Sequence, residues 1–277
     1  MYSMFKTLMK NPQAAVGLSL IALFLIAALF APVLAPNEPD KIDILSKYLP
    51  PGGDFPLGTD GLGRCVLSRL LYGARSSMLL ALPSLAVVGV CGTVLGTSAA
   101  YLGGAAERVF IVVCDVFMAF PPLVIAISLV GALGAGILNI VAAVFFSSWV
   151  WFAKLVRTWA LIEKGKDYIT ASRIAGCSRA GIIFRHLIPN ILPRCAVFLS
   201  TSVSAVVIMV SGFAFLGLGF PAGTAEWGAM LSEAQANFHT HPELLLYPGL
   251  CMLLASVGFN LFGEALRDVV TPEGAGQ

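Results

Sequence analysis

Charge is scarce in this sequence. Asp, Glu, Lys and Arg make up only 12% of its 277 residues, against about 25% in an average soluble domain. The formal net charge of +2 is too small to favour nucleic-acid binding, and no Lys/Arg-rich run with interleaved aromatic residues occurs. Because 58% of the residues are hydrophobic and the mean hydropathy is +0.88, the composition predicts a membrane protein with no nucleic-acid partner.

Motifs of several enzyme classes are also missing. No G-x-x-x-x-G-K-[ST] run is present to cradle nucleotide phosphates. Intramembrane proteolysis would need an H-E-x-x-H sequence or paired carboxylates inside an apolar run, and neither occurs. The six cysteines are scattered without a C-x-x-C pair, so we expect no disulfide and no thiolate metal site. We therefore expect no catalytic residue and no cofactor bound by this chain.

What the sequence has in abundance is long apolar runs. Runs of about 20 apolar residues are typical of membrane-spanning helices, because hydrocarbon offers no hydrogen-bond partner to free backbone groups. No A-x-A-like cleavage site follows the first run, so we interpret it as a retained span. The sequence predicts an all-α membrane domain at 14–266, between tails at 1–13 and 267–277, with six spans: 14–34, 78–101, 109–133, 137–160, 189–218 and 245–266.

Basic residues in the loops predict the orientation. If the N-terminus is cytoplasmic, twelve of the 17 Lys and Arg residues lie inside and five lie outside. Because cytoplasmic loops carry the excess of Lys and Arg, both termini are expected in the cytoplasm. The same orientation gives two long outer loops, 36–77 and 219–244. The five outside residues are Lys41, Lys47, Arg64, Arg69 and Arg75.

The first outer loop contains "LGTDGLGRCVLSRLLYGARSSM". Its glycines indicate a turn, and Asp60 is placed to cap a following helix. From 64 to 75 apolar residues recur at spacings of three and four, which predicts a short amphipathic helix lying flat at the membrane surface. We interpret this outer elbow as structural rather than as a cargo contact; its candidate residues are Gly58, Thr59, Asp60, Gly63 and Arg64.

The last outer loop carries acids and histidines but no Lys or Arg. Glu226, Glu233 and Glu243 would form a negative rim that attracts cations. His239 and His241 alternate, so in an extended chain both rings would point to one side. Imidazole suits nickel, which makes the pair a candidate metal site; the alternative is that both histidines are polar loop residues.

A few residues inside the spans stand out. Asp115 is the one acid well inside a span, and a membrane carboxylate marks a pathway by default. The alternative is that it lies near enough to the interface to stay hydrated. With Met118, Phe120 and Pro121 it forms the set of pathway candidates. Gly92, Gly96 and Ala100 are spaced at four, which predicts close helix packing in lipid.

A basic stretch, "YITASRIAGCSRAGIIFRHLIPNILP" at 168–193, interrupts the apolar pattern. Residues 163–175 are helix-prone, Gly176 breaks the helix, and 178–187 are helical again until Pro189. A plain connector needs only a few residues, so an ordered segment of this length indicates a partner. The alternative is a solvated basic loop at the lipid headgroups.

Several of these motifs resemble one family. "TASRIAG" followed by "RHLIPNILP" resembles the cytoplasmic coupling loop of ABC-importer permeases, here 161–188. Thr170 and Ser172 replace the acid and the second alanine of that motif, and His186 replaces its isoleucine, whereas the matching positions are Ala171, Gly176, Ile188 and Pro189. The outer elbow resembles the C-type permeases of the dipeptide/oligopeptide/nickel branch, with Cys65 in place of an Asp. "DVFMAFP", "FLGLG", "EWGAML" and "FNLFGEALRD" match the same branch.

The resemblance implies a type I ABC-importer permease with six transmembrane helices and cytoplasmic coupling helices, in the cytoplasmic (inner) membrane. It implies four kinds of partner: the lipid bilayer, a second homologous permease, two cytosolic ATPases that hold ATP and Mg²⁺, and an extracytoplasmic substrate-binding protein. The expected cargo is nickel or a small metal chelate, and the alternative is di- or oligopeptides. A secondary transporter or channel is the rival class, which would favour several intramembrane charges.

Overall fold

The computed structural model describes residues 11–134, 136–221 and 223–270, and in these ranges the chain is a helical bundle without β-strands. The all-α prediction is confirmed. We number the helices in chain order: α1 (Pro12–Leu34), α2 (Val66–Leu102), α3 (Gly104–Met118), α4 (Pro122–Leu133), α5 (Ile137–Lys164), α6 (Asp167–Ile174), α7 (Arg179–Phe215), α8 (Trp227–Gln235) and α9 (Glu243–Val270). Parts of both predicted tails fall outside the described residues.

Five helices in the described part of the chain are long and apolar enough to cross a membrane, namely α1, α2, α5, α7 and α9. The sixth candidate is the pair α3 and α4, which is bent by 80°. The segment predicted as a span at 109–133 is therefore broken at Pro121 and Pro122, and it counts as a sixth span if the bent pair crosses the membrane together. Pro121 and Pro122 lack the N–H that would continue α3, and Pro122 instead begins α4, where that N–H is not needed.

The short surface helix predicted at 64–75 is the start of α2, which runs unbroken for 37 residues. Two serines lie at the predicted boundary inside this continuous helix. Ser76 donates a hydrogen bond to the carbonyl of Ala225 and Ser77 donates one to Glu226, so both hydroxyls bond across to the last outer loop. A separate helix lying flat on the membrane is thus a wrong prediction.

Helix α7 begins earlier than the predicted span and passes through Pro189. A π-type turn at Ile182–Leu187 precedes the proline, and the N–H of Ile188 bonds to the carbonyl of Ile183. A proline removes one i→i−4 bond and crowds the carbonyl four residues back, and the wider turn accommodates both effects. The prediction that Pro189 ends the helix is wrong.

Small residues set the closest helix packing. A Cβ built on Gly92 would lie 2.5 Å from Cδ1 of Phe152, and one built on Gly96 would strike the backbone of Ala153 on α5. Gly17 of α1 likewise faces the backbone of α9, with Gly258 O 2.8 Å from its built Cβ. Helices α2 and α5 form the most extensive contact in the bundle, as the spacing of small residues predicts.

Candidate functional site

The tip of the coupling loop, residues 170–180, is almost entirely exposed. It comprises the last residues of α6 and the turn that follows, and it carries Ala171 and Arg173 on its surface. The side chain of Ile174 is 83% exposed and that of Phe184, just beyond the tip, is 55% exposed. Apolar side chains so exposed on a segment that also carries basic residues are typical of a protein-binding surface.

A small core beneath the tip holds the two helices of the loop together. Ile169 of α6 packs with Ile182 and Leu187 of α7, and all three are completely buried. The half-buried rings of Tyr101 and Tyr168 cover this cluster. Because Tyr101 belongs to α2, the core fastens the coupling loop to the Leu102 end of that helix.

Tyr168 is the centre of a hydrogen-bond network at the base of α6. Its hydroxyl donates to Glu163 Oε1 at 2.8 Å and accepts from Asn190 Nδ2 at 3.1 Å, while Lys166 pairs with Glu163 at 2.9 Å. Burial, and then the Glu163 carboxylate, raise the pKa of Tyr168 well above its usual value. The hydroxyl therefore stays protonated and remains a donor at physiological pH.

Two basic side chains tie the loop to α2. Lys164 Nζ donates to the carbonyls of Ala100 at 2.7 Å and Tyr101 at 3.0 Å, the last turn of α2. A cation at this helix end is stabilised by the helix dipole. The guanidinium of Arg173 lies 5.2 Å from the centroid of the Tyr101 ring, within cation–π range.

The predicted coupling residues divide into two groups. Thr170, Ala171 and Gly176 lie on the exposed tip, with the half-buried Ser172, whose hydroxyl bonds to Tyr168 O at 2.8 Å. Ile188 and Pro189 lie apart from them, inside α7. The helix predicted at 163–175 is interrupted, because α5 ends at Lys164 and α6 begins at Asp167.

Gly176 adopts φ +80°, the left-handed region that L-residues with a Cβ avoid. Its N–H bonds to Arg173 O and that of Cys177 bonds to Ser172 O, which closes α6. A built Cβ on Gly176 meets nothing within 4 Å. Glycine is thus required here by the backbone conformation and not by lack of space.

The outer elbow lies at the other end of α2 and is built around two buried arginines. Arg64 Nε bonds to Asp60 Oδ2 at 2.7 Å and its Nη2 bonds to Glu233 Oε2 at 2.5 Å. Arg69 Nη2 reaches the same Glu233 oxygen at 3.0 Å. These four side chains, which we name the Arg64 cluster, join the first outer loop to α8.

Three details of the elbow differ from expectation. Asp60 caps no helix; its Oδ1 accepts the N–H groups of Leu62 and Arg64 inside the turn. Thr59, 3% exposed, donates to Ser46 O and accepts from the Leu49 N–H. Arg69 is one of the five basic residues assigned to the outside, but its side chain is buried, with 1% exposed. The sequence signal for this burial is its position among the apolar residues that recur at helical spacing from 64 to 75. Gly58 and Gly63 both have φ +76°.

The negative rim predicted on the last outer loop is wrong. Glu226 is completely buried at the N-cap of α8, where the hydroxyls of Ser77 and Ser211 donate to Oε1 and the N–H groups of Gly228 and Ala229 donate to Oε2. Burial raises the pKa of Glu226, while these donors act in the opposite direction. Glu233 pairs with Arg64 and Arg69, and Glu243, which is 46% exposed, has His241 Nδ1 3.0 Å from its Oε1, so each carboxylate of the predicted rim already has a partner.

The histidines of this loop are not arranged as a metal pair. The chain from 236 to 240 is turned and not extended, which removes the reason to expect both rings on one side. His241 stacks on Tyr48 with centroids 4.1 Å apart, and its Nδ1 lies 3.0 Å from Glu243 Oε1. His239 lies against Phe238. Among the described residues, no group of three His, Cys, Asp or Glu side chains could hold a metal ion.

The pathway candidates gather at the bend between α3 and α4. Asp115 is 56% exposed and its Oδ1 lies 2.7 Å from Lys154 Nζ on α5. Met118, the last residue of α3, is half-buried. Phe120 and Pro121 form the exposed bend itself. Sequence reasoning did not connect Lys154 with Asp115, because the partners are separated by 39 residues and meet only when α3 packs on α5.

Comparison with known proteins identifies this arrangement. Residues 92–273 match the family described as the binding-protein-dependent transport system inner membrane component. The chain belongs to this family of ABC-importer permeases. Residues 1–51 match the N-terminal TM domain of oligopeptide transport permease C, so the expected C-type resemblance is confirmed.

Three relatives of this permease cover nearly the whole chain. The nickel transport system permease protein NikC of Escherichia coli K12 is 35% identical over 256 residues, 92% of each chain. The metal-staphylopine import system permease protein CntC of Staphylococcus aureus is 34% identical over 267 residues, 96% of this chain and 92% of that one. The probable D,D-dipeptide transport system permease protein DdpC of Escherichia coli K12 is 33% identical over 267 residues, 96% of this chain and 90% of that one.

Proposed function

We propose that this permease couples ATP hydrolysis on two partner subunits to import, with the tip of its coupling loop as the ATPase contact. The observation that carries the proposal is the exposure of Ile174 and Phe184 on a segment whose base is firmly packed. Ile174 lies on α6, outside the candidate spans, where a large exposed apolar side chain favours a protein partner. In this proposal ATP and Mg²⁺ are held by the ATPases and not by this chain.

The loop is suited to act as a rigid lever. Nucleotide binding would close the two ATPases and move both coupling loops with them. The buried core of Ile169, Ile182 and Leu187 passes that movement to α2 and α7 without local bending, because packed cores switch between discrete arrangements and do not deform continuously. The accessible side of the pathway would then change.

A second homologous permease and an extracytoplasmic substrate-binding protein complete the proposed importer. The bent pair α3 and α4 offers an uncovered apolar surface, with Val112, Val116, Leu123 and Val124 each at least half exposed. A surface of this kind is covered by lipid or by a partner in a membrane. In this proposal the substrate-binding protein docks on the outer loops. Both chain termini lie on the opposite side of the membrane, in the cytoplasm.

Two classes of cargo remain candidates: nickel or a small metal chelate, and di- or oligopeptides. Similarity to the nickel and metal-staphylopine permeases favours the first, and similarity to the D,D-dipeptide permease favours the second. The acids and histidines of the last outer loop give the metal no extra support, because Glu226 is buried and Glu233 is paired.

Energy source separates this proposal from a secondary transporter. Uptake should stop when a partner ATPase is inactivated in cells that keep their proton gradient, and it should survive an uncoupler as long as ATP is maintained. Uptake that follows the proton gradient in the absence of ATPase activity would contradict the proposal.

Cargo is decided in vesicles that contain the assembled complex. Labelled nickel, free or chelated, and a labelled dipeptide are supplied separately with the binding protein and ATP. Uptake of nickel without the dipeptide supports the metal class. Uptake of the dipeptide without nickel in either form contradicts it and supports the peptide class.

A further inference from the structure

The Asp115–Lys154 ion pair joins α3 to α5 in the part of α5 that is nearer to Lys164. Helix α5 has 28 residues and so is about 42 Å long, against a hydrocarbon core of about 30 Å. Lys154 lies ten residues from the nearer end of α5, or about 15 Å along its axis. A hydrocarbon core that starts at the exposed apolar residues Ile137 and Leu138 covers about 20 residues of α5, so Lys154 lies just inside its far edge.

Neither charge is shielded by its own chain. The Asp115 side chain is 56% exposed and that of Lys154 is 35% exposed. A lysine near the edge of the hydrocarbon usually extends toward the membrane surface, but here Nζ is 2.7 Å from Asp115 Oδ1 on α3. An exposed ion pair in hydrocarbon is costly, and intramembrane charges of this kind face water-filled cavities.

A second ion pair continues the polar seam. Arg157 bonds to Glu107 Oε1 through Nε at 2.9 Å and through Nη2 at 2.5 Å. Thr158 is exposed beside it on α5, and Trp151, one turn from Lys154, is 51% exposed. This face of α5 therefore combines charges, a hydroxyl and an aromatic ring, which suits contact with a polar solute in water.

We propose that the Asp115–Lys154 pair lines the water-filled cargo pathway and contacts charged groups of the cargo as it passes. The pair offers a carboxylate to cationic groups and an ammonium to anionic ones, so it fits a cargo that carries carboxylates, such as a peptide or a metal chelate. This inference rests on the proposed import function and adds Lys154 to the pathway.

Thiol accessibility tests the lining. The variant Asp115→Cys is compared with the control Leu23→Cys. The two positions are matched, because Leu23 lies eleven residues after the start of α1 and Asp115 lies eleven residues after the start of α3. The native Leu23 is also exposed, at 57%. A membrane-impermeant methanethiosulfonate should modify the thiol at 115 about tenfold faster or more, because only a hydrated thiol ionises. Equal rates at both positions would overturn the inference. The accessible native cysteines are first replaced: Cys91→Ala, Cys177→Ser and Cys251→Ala.

Cargo contact is tested with a double variant. Lys154→Met combined with Asp115→Asn removes both charges and keeps the side-chain volumes. If the ion pair were purely structural, this double variant would change assembly and transport very little. A cargo contact instead predicts normal assembly with uptake of the transported dipeptide or nickel chelate reduced about tenfold. Normal uptake by the assembled variant would overturn the contact.

ATP-driven uptake by the unsubstituted complex is measured in the same vesicles. If that uptake is present while the thiol at 115 is protected, the pathway inference fails and the proposed function stands. If the unsubstituted complex shows no ATP-driven uptake, the proposed import function fails, and the pathway inference, which rests on it, fails too.

Discussion

Two exposed glycines of the coupling loop differ in backbone conformation. Gly176 has φ +80°, whereas Gly165 has φ −75° and is compatible with any L-residue. An alanine held in the left-handed backbone conformation costs about 1–2 kcal/mol relative to a right-handed one. At Gly176 it would therefore shift the turn that closes α6, and the tip would shift with that turn. The local backbone thus decides which glycine matters.

We predict that Gly176→Ala lowers ATP-driven uptake severalfold while the protein inserts normally. Gly165→Ala is the matched control and should transport like the unsubstituted protein. Uptake in vesicles with equal amounts of assembled complex measures both. Equal activity of the two variants would show that the tip geometry is unimportant for coupling.

Arg64 is the residue on which the outer elbow depends. Its guanidinium is 3% exposed and binds both Asp60 and Glu233, so its removal leaves two acids close together. Breaking a buried pair by removing one partner costs about 3–5 kcal/mol, less here because Glu233 is 38% exposed.

We predict that Arg64→Met lowers the melting temperature of the purified complex by about 5 °C or more and leaves the apparent cargo affinity of assembled complex unchanged. Glu233→Gln should cost less, because glutamine keeps an oxygen that can accept from Arg64 and Arg69, and the Asp60 carboxylate still faces both arginines. A large loss of affinity with a normal melting temperature would make Arg64 a cargo contact instead.

Among the elements, α2 connects the two ends of the molecule. It begins beside the Arg64 cluster and ends at Tyr101 over the core of the coupling loop. Between them it packs on α5 through Gly92 and Gly96. A movement of the tip can therefore reach the outer elbow through one continuous helix.

We predict that Gly96→Val prevents assembly of the complex, because its Cβ would strike the backbone of Ala153. Gly249→Val on α9 is the control, since a Cβ there meets nothing within 4 Å. The yield of membrane-inserted, co-purifying complex measures both. Similar yields would mean that α2 and α5 can separate at no cost.

The sequence predicts the elements better than their junctions. Hydrophobic length located the five long helices that could span a membrane, and the small-residue spacing of Gly92 and Gly96 located the α2–α5 contact. Proline was misinterpreted at Pro189, because a π-type turn can absorb a missing hydrogen bond. The 80° bend beside Pro121 could not be predicted, since its angle depends on how α3 and α4 pack.

Polar partners were the least predictable part of the sites. The sequence alone gives no sign that the Glu226 carboxylate is buried. It becomes the buried N-cap of α8 only because the packing of the helices brings the hydroxyls of Ser77 and Ser211 to it. Arg69 and Lys154 are paired across 164 and 39 residues. Such pairings follow from tertiary packing, which local patterns do not encode.

For the whole molecule, two polar regions lie at opposite ends of a bundle whose sides are mainly apolar, apart from the α3–α5 seam with Asp115 and Lys154. One end presents the coupling tip and the other presents the outer elbow, and α2 spans about 55 Å between them. Exposed apolar side chains such as Val33 and Leu138, each 81% exposed, cover the sides. This arrangement suits a permease driven from one side of a membrane and supplied from the other.

The most direct test of this account is a cross-link from the coupling tip to the ATPase. A photoreactive residue placed at Ala171, exposed on the tip, should cross-link to a co-expressed ATPase subunit, with a yield that changes when nucleotide binds. The same residue at Asp54, exposed in the first outer loop, is the control and should not reach it. Absence of ATPase cross-links from Ala171, in a complex that transports, would contradict the account.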